Sequence, residues 1–485
     1  MWWLLACQGA TDSGGSGGPG GPPDTDVVDT QPATDTAPDW PEGLVLVEQD
    51  TATRPGFVRE IWQSTELVDV DGEPAELWWY RPVGETETGL MIVLHGSTAA
   101  DDSLGTEACE VDVAERSRVR LLEDWGLVTQ IALAEGFSVL APLNGWCDVW
   151  LGQGTDDPVD TTHHGRAWLA ESLAFVDHPA SCVTTTGRKV AWGSSTGAVG
   201  AVQAAVMAGL DAVLLDSGPV DFSDAEQPSF QRVLEHVLGP SDEQAELWAA
   251  RDPLSLVADG ALQSEVFVLF NEPDLINSAS HAFAMEAALA KSQLAWGSHD
   301  MAHLSPGTTY HVQGGLPLPP WGFYTEAVMD VLLDGRRLEV VEAELPCDAC
   351  ALGALWSSSD WMDDASGAAG RRARDEEGSG VMASFELPAE VPEGVTVTAR
   401  AVIGLDQDEV LDDDTEVAVL RWAGTVQSQT LTYGQLSVLS DDGLPPRSLY
   451  NAARLELPEA TPGAVFEVEA LGTATLLVDA ALFLW

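Results

Sequence analysis

The sequence predicts a mixed α/β domain built on a mostly parallel sheet, followed by an all-β module of sandwich or jelly-roll type. Three observations carry this expectation. Between Phe57 and Gly335, short runs that are apolar at every position alternate with helical stretches, the pattern of strands covered by helices on both faces. One of those runs, Val190-Ala191-Trp192, leads into Gly193-Ser194-Ser195-Thr196-Gly197 and then into a helix of small residues, 198–208. After Arg336 the helical period gives way to strand-like runs separated by turn signals such as Asp442-Gly443 and Pro462-Gly463, the texture of an all-β module.

Residues 57–63 and 76–80 read as leading strands, and Leu90 to Leu94 form a continuous apolar run ending in His95-Gly96. A helical segment, 121–134, precedes the strand 137–142. Further strands are expected at 189–192, 212–215 and 266–270, with a last strand at either 293–296 or 299–304. A closing helix, 324–333, is stopped by Asp334-Gly335. In the second module, strands are expected at 394–401, 416–422, 464–469 and 474–484. The domain reading is therefore 1–45 for a leader and linker, 46–336 for an α/β catalytic domain, and 337–485 for a β accessory domain.

Hydrophobic residues make up 45% of the chain, enough for sizeable cores. Against 78 acidic residues stand 21 basic ones, for a formal net charge of −57. Such a chain repels polyanions, which excludes nucleic acid as a partner. The acid-rich stretch 406–416 lacks the spaced oxygen ligands and central glycine of an EF-hand loop, so the acidity reads as a solvated surface.

Leu4-Leu5-Ala6-Cys7 resembles a bacterial lipobox, which implies lipid modification of Cys7 and attachment to a membrane. Residues 8–42 are almost entirely Gly, Ser, Pro, Asp, Thr and Gln, a composition that buries no core and acts as a flexible tether. Both features point outside the cytoplasm, to an anchored lipoprotein or a secreted protein. Disulfides are then favoured. A local Cys347–Cys350 bridge and a Cys109–Cys147 bridge are expected, with one of the five cysteines beyond Cys7 left over.

The pentapeptide around Ser195 carries the chemistry. A strand–Ser–helix turn lifts a nucleophile out of the sheet in a cramped bend, which requires small neighbours at both offsets. The following helix aims its positive end at the same place. An oxyanion then needs N–H donors, expected from Thr196 and from the Gly96–Ser97 turn after the apolar strand. A general base must follow the last strand, and the acid that orients it must follow the strand before. Asp274, in Asn271-Glu272-Pro273-Asp274, is the expected acid, with Glu272 second. His299, His303 and His311 all come late enough; His311, in a loop before the closing helix, is the expected base and His299 the alternative. His281, on a helix before the last strand, reads as structural.

Residues 88–335 resemble the α/β-hydrolase superfamily, in layout the polyhydroxyalkanoate-depolymerase and feruloyl-esterase group. The resemblance rests on Val93-Leu94-His95-Gly96, Gly136 to Pro142, Asn144-Gly145-Trp146-Cys147 and Gly193 to Gly197. It implies a cofactor-free, metal-free serine esterase working through Ser195, Asp274 and His311 and an acyl-enzyme intermediate. A serine peptidase of the same fold is the near alternative, and a non-catalytic surface-binding lipoprotein on a hydrolase scaffold the distant one. The implied partner is a small or polymeric ester. The last strand of the β module is similar to that of galactose-binding-like jelly rolls, which implies glycan contact through that domain. Trp356, Trp361, Trp422 and Trp485 are the residues that could stack on sugars, although a buried core is the commoner fate of tryptophan.

Overall fold

The computed structural model describes residues 42–50, 56–69, 72–84, 87–96, 126–146, 148–152, 164–224, 228–270, 277–300, 328–342, 373–374, 380–405, 411–437, 449–473 and 476–485. Nine strands form the first sheet: β1 (Leu44–Asp50), β2 (Phe57–Val68), β3 (Pro74–Pro82), β4 (Glu87–Leu94), β5 (Phe137–Pro142), β6 (Thr184–Ser194), β7 (Ala212–Asp216), β8 (Glu265–Phe270) and β9 (Trp296–Asp300). Their spatial order is β1-β2-β3-β5-β4-β6-β7-β8-β9. β1, β2, β3 and β5 pair antiparallel, and every pair from β5 to β9 is parallel. This order fits the α/β-hydrolase fold. The helices are α1 (Gly126–Ala134), α2 (Gly165–Val176), α3 (Gly197–Ala208), α4 (Pro228–Leu238), α5 (Ala245–Ala249), α6 (Pro253–Ala258) and α7 (Ser280–Leu289), with α8 at 328–334.

The strands are apolar throughout because successive side chains face opposite sides of a sheet that is covered on both. In β4, Met91 and Val93 enter a core shared with α1 and α8. Their neighbours Leu90, Ile92 and Leu94 enter a second core with α2, α3, α6 and α7. Small residues on α3 let it lie close to the sheet: Gly197 through Ala205 are all buried.

The order of the strands decides where a site can form. After β4 the chain crosses to β5 on one side, then returns to place β6 on the other. A crevice opens beyond the carboxyl ends of the strands at such a reversal. Gly96 follows β4 and Ser195 follows β6, so both lie at this crevice. The last strand, 296–300, matches neither expected span, because its parallel register opposite Val266–Phe270 fixes where it ends. His299 is thus the fourth residue of a five-residue strand, not the first residue of the loop beyond it.

The second module holds two antiparallel sheets around one apolar core. β10 (Leu338–Glu342), β18 (Leu476–Leu484), β13 (Val397–Leu405) and β16 (Leu449–Leu457) form one, with the short β11 (Ala373–Arg374) also paired to β18. β12 (Gly380–Glu386), β17 (Val465–Ala470), β14 (Glu416–Trp422) and β15 (Ser428–Thr432) form the other, and α9 (Tyr433–Ser437) follows β15. Trp422, 1% exposed, packs between the sheets against Phe466 and Phe483 and is core, not a sugar platform. Trp485 packs at the edge of the same core, and Trp356 and Trp361 lie outside the described residues. The sheet containing β10 and β18 is buried on its outer face too: Leu338, Leu482 and Leu484 join the α1–α8 core of the α/β domain.

Candidate active site

Ser195 sits at the junction of β6 and α3 with φ +53°, a left-handed backbone that costs a non-glycine residue free energy. Three constraints hold it there. Its N–H donates to the Asp216 carbonyl at the end of β7 (2.8 Å), and its carbonyl accepts from Ala198 N–H in the first turn of α3 (2.9 Å). The motif glycines remove the obstacles: a Cβ on Gly193 would overlap the Gly197 carbonyl, and one on Gly197 would overlap the Leu94 carbonyl. The spacing Gly-x-Ser-x-Gly is therefore a packing requirement between β6, α3 and β4. Ser194, the other serine of the motif, is buried, its hydroxyl without a hydrogen-bond partner among the described residues.

Gly96 lies directly across from the serine. A Cβ built on it would stand 2.7 Å from Ser195 Cβ and 3.3 Å from Ser195 Oγ, so only glycine lets this turn approach the hydroxyl. Thr196 is 8% exposed, and its N–H takes no backbone acceptor among the described residues. That amide begins α3, where N–H groups and the helix dipole both favour negative charge. Gly96 thus lies against Ser195, with Thr196 next to it in the chain.

The other expected residues stand differently. Asp274, Glu272, Ser97, His303 and His311 lie outside the described residues, as do Cys7, Cys109, Cys147, Cys347 and Cys350. His299 is described only as backbone in β9. Cys182 is disulfide-bonded, and its partner lies outside the described residues. With both expected bridges formed Cys182 would be the cysteine left over; it is bonded instead, so those two bridges and a lipid on Cys7 do not all stand together. His281 is 1% exposed on α7 and accepts from the Asp221 N–H at Nδ1 (3.0 Å), a structural tie.

Sequence reasoning missed the network behind the turn. His95, 2% exposed, accepts from Asn144 N–H at Nε2 (2.9 Å), which leaves Nδ1 to donate to the Gly96 carbonyl (2.8 Å). The Trp150 indole N–H donates to the His95 carbonyl (3.1 Å). Asp148, fully buried, accepts at Oδ1 from Asn144 Nδ2 (3.0 Å) and Trp150 N–H (3.1 Å), and at Oδ2 from Gly165 N–H. Burial pushes the Asp148 carboxyl above its ordinary range, against the pull of these three hydrogen bonds. The one hint in the sequence is position, since Asp148 directly follows the Asn144-Gly145-Trp146-Cys147 segment.

No protein-family model matches the chain, and no curated protein matches it in sequence. Solved structures are similar in part. An S-formylglutathione hydrolase from Agrobacterium tumefaciens is 18% identical over 59% of this chain and 95% of its own, with a TM-score of 0.41. A thermostable esterase from Pseudomonas putida is 14% identical over 57% and 84%, with a TM-score of 0.39. Acetyl xylan esterase 1 from a Thermoanaerobacterium species is 14% identical over 53% and 80%, with a TM-score of 0.35.

Proposed function

We propose that this chain is a serine hydrolase of carboxylic esters. The observation that carries the reading is Ser195: a serine held at φ +53° between a parallel strand and a helix N-terminus, with Gly96 against its hydroxyl. A hydroxyl placed this way can attack an acyl carbon while the amides of Thr196 and Ser97 receive the oxyanion. His311 takes the proton from Ser195 and returns it to the leaving alcohol, and Asp274 holds the imidazole in the required tautomer. Water then attacks the acyl-enzyme by the same route. His95 cannot serve as the base, because its Nε2 already accepts from Asn144 and its Nδ1 faces Gly96.

The proposal places the enzyme outside the cytoplasm, anchored through a lipid on Cys7 and the tether that follows. Among the described residues no helix is long and apolar enough to cross a membrane.

A fluorophosphonate probe tests the nucleophile: the native chain is labelled and Ser195→Ala is not. In a panel of p-nitrophenyl esters of rising acyl length, His311→Ala lowers turnover by about 10⁴-fold, and His299→Ala leaves most of it. The reverse pattern would move the base to β9. Absence of label on the native chain would remove the enzymatic reading.

A further inference from the structure

The turn carrying Gly96 is held from behind by a single buried carboxylate. Asp148 has no exposed surface and no arginine or lysine partner among its hydrogen bonds, which come from one side chain and two backbone amides. Besides the electrostatic pull of His164 the carboxylate is held by amides, and burying it so is costly; a fold keeps such a group where it orders something. What it orders is two arms that converge on His95. The first runs through Asn144, whose side chain is held by Asp148 and whose backbone N–H meets His95 Nε2. The second runs through Trp150, whose backbone N–H meets Asp148 and whose indole N–H meets the His95 carbonyl. His95 then grips the Gly96 carbonyl, and Gly96 stands against the Ser195 hydroxyl.

The surroundings show that this arrangement is built into the backbone. Val149 and Trp150 both have positive φ, 46° and 69°, which turns the Trp150 ring beneath the turn. Gly200 of α3 makes room for it: a Cβ there would stand 2.7 Å from Trp150 Cγ. Gly165, at the start of α2, lets its amide reach Asp148, since a Cβ at that position would overlap the carboxylate. The Trp150 and His95 rings meet edge to face at 5.2 Å.

We propose that Asp148 is a positioning residue for the turn that carries Gly96, acting through Asn144 and Trp150 to lock His95 in its Nδ1-protonated tautomer and so fix the Gly96 carbonyl beside Ser195. The kinetic half of this inference rests on the reading of Ser195 as a nucleophile; the tautomer half does not.

The test uses the full chain with ¹⁵N-labelled histidine, His95 being assigned by its loss in His95→Gln. In the native protein His95 shows the Nδ1–H tautomer by long-range ¹H–¹⁵N coupling, and in Asp148→Ala it averages between the two forms. On p-nitrophenyl acetate, Asp148→Ala lowers kcat by about 10²-fold, the scale of a small misplacement at a reacting centre, while KM is nearly constant. Affinity for a boronic acid transition-state analogue falls in step with kcat/KM. Asp148→Asn keeps one oxygen for Asn144 and Trp150 and recovers part of the loss. Trp150→Phe cuts only the second arm and has a smaller effect in the same direction. These two variants carry the test if Asp148→Ala does not fold. Native kcat in all the variants, or an Nε2–H tautomer in the native protein, overturns the proposal. So does a loss in which kcat and analogue affinity part company. If the native chain neither turns over ester nor takes the fluorophosphonate, the nucleophile reading fails, and the tautomer measurement alone decides whether Asp148 locks His95.

Discussion

At Ser195 the backbone takes a conformation that glycine would adopt freely. Val149, Trp150 and Ser217 share that property, and all three lie in the segments leading out of the same crevice. Strain of this kind, on the order of 1–3 kcal/mol per residue, persists only where the surrounding structure over-determines it. Here the Asp216 and Ala198 hydrogen bonds and the packing of Gly193 and Gly197 do so. A serine at this position is therefore a cost to folding that its hydroxyl must justify. Two inactive variants separate the terms. Ser195→Ala removes the hydroxyl and keeps the strain, whereas Ser195→Gly removes both. We expect Ser195→Gly to be the more stable of the two by about 1 kcal/mol in urea denaturation, the scale of the left-handed penalty. Equal stabilities would mean that the backbone there is relaxed and that the bend is no strained elbow.

Among the elements, α2 ties the antiparallel edge of the sheet to its parallel centre. Glu171 on α2 accepts from the Ser64 hydroxyl of β2 (3.3 Å). Burial, helped by the nearby Glu66 charge and opposed by the Ser64 bond, raises its pKa from 4.5 to about 7. Because the folded state binds this proton more tightly than the unfolded chain, the stability it contributes is complete below about pH 4.5 and is lost as pH rises through about 7. Glu171→Gln should remove that dependence. At pH 8 the variant should exceed the native protein by about 1 kcal/mol, a figure reduced for the solvent screening of a half-buried group. At pH 4 the two should nearly coincide in thermal melts. The elements also show what a sequence discloses. β4, β5, β7 and β8 are legible because burial on both faces makes every position apolar. β1, β12 and β15 are not, since exposed faces dilute their pattern. The motif at Ser195 is legible because the small residues its bend requires fall within five positions. The support of Gly96 is not, because it joins positions 95, 144, 148, 150 and 165, which meet only after the sheet has formed. For the base, several late histidines satisfy chain order equally, and order alone cannot choose among them.

On the scale of the whole molecule, the β module is bound to the α/β domain by more than the chain between them. Leu338, Leu482 and Leu484 share a core with Val328, Met329, Val331 and Leu332 of α8. Beside this apolar seam, Arg400 on β13 pairs with Asp330 on α8 at 3.2 Å, with side chains 4% and 14% exposed, and Arg336 donates to Thr398 Oγ1 (3.0 Å). An interface with a continuous core and a buried ion pair couples the two parts, so they should unfold in one transition. Arg400→Ala leaves Asp330 buried without its guanidinium, a change that costs about 3–5 kcal/mol at buried pairs. That loss should lower the midpoint seen by probes in both domains, including tryptophans buried far from the interface such as Trp62 and Trp168. Replacing both members, Asp330→Leu with Arg400→Met, should recover much of it, because the desolvation penalty of two charges disappears with them. The comparison belongs at fixed ionic strength, since a chain of net charge −57 is itself sensitive to screening. A module merely tethered to its neighbour would behave otherwise: Arg400→Ala would leave the α/β domain's transition where it was, and two separate transitions would appear.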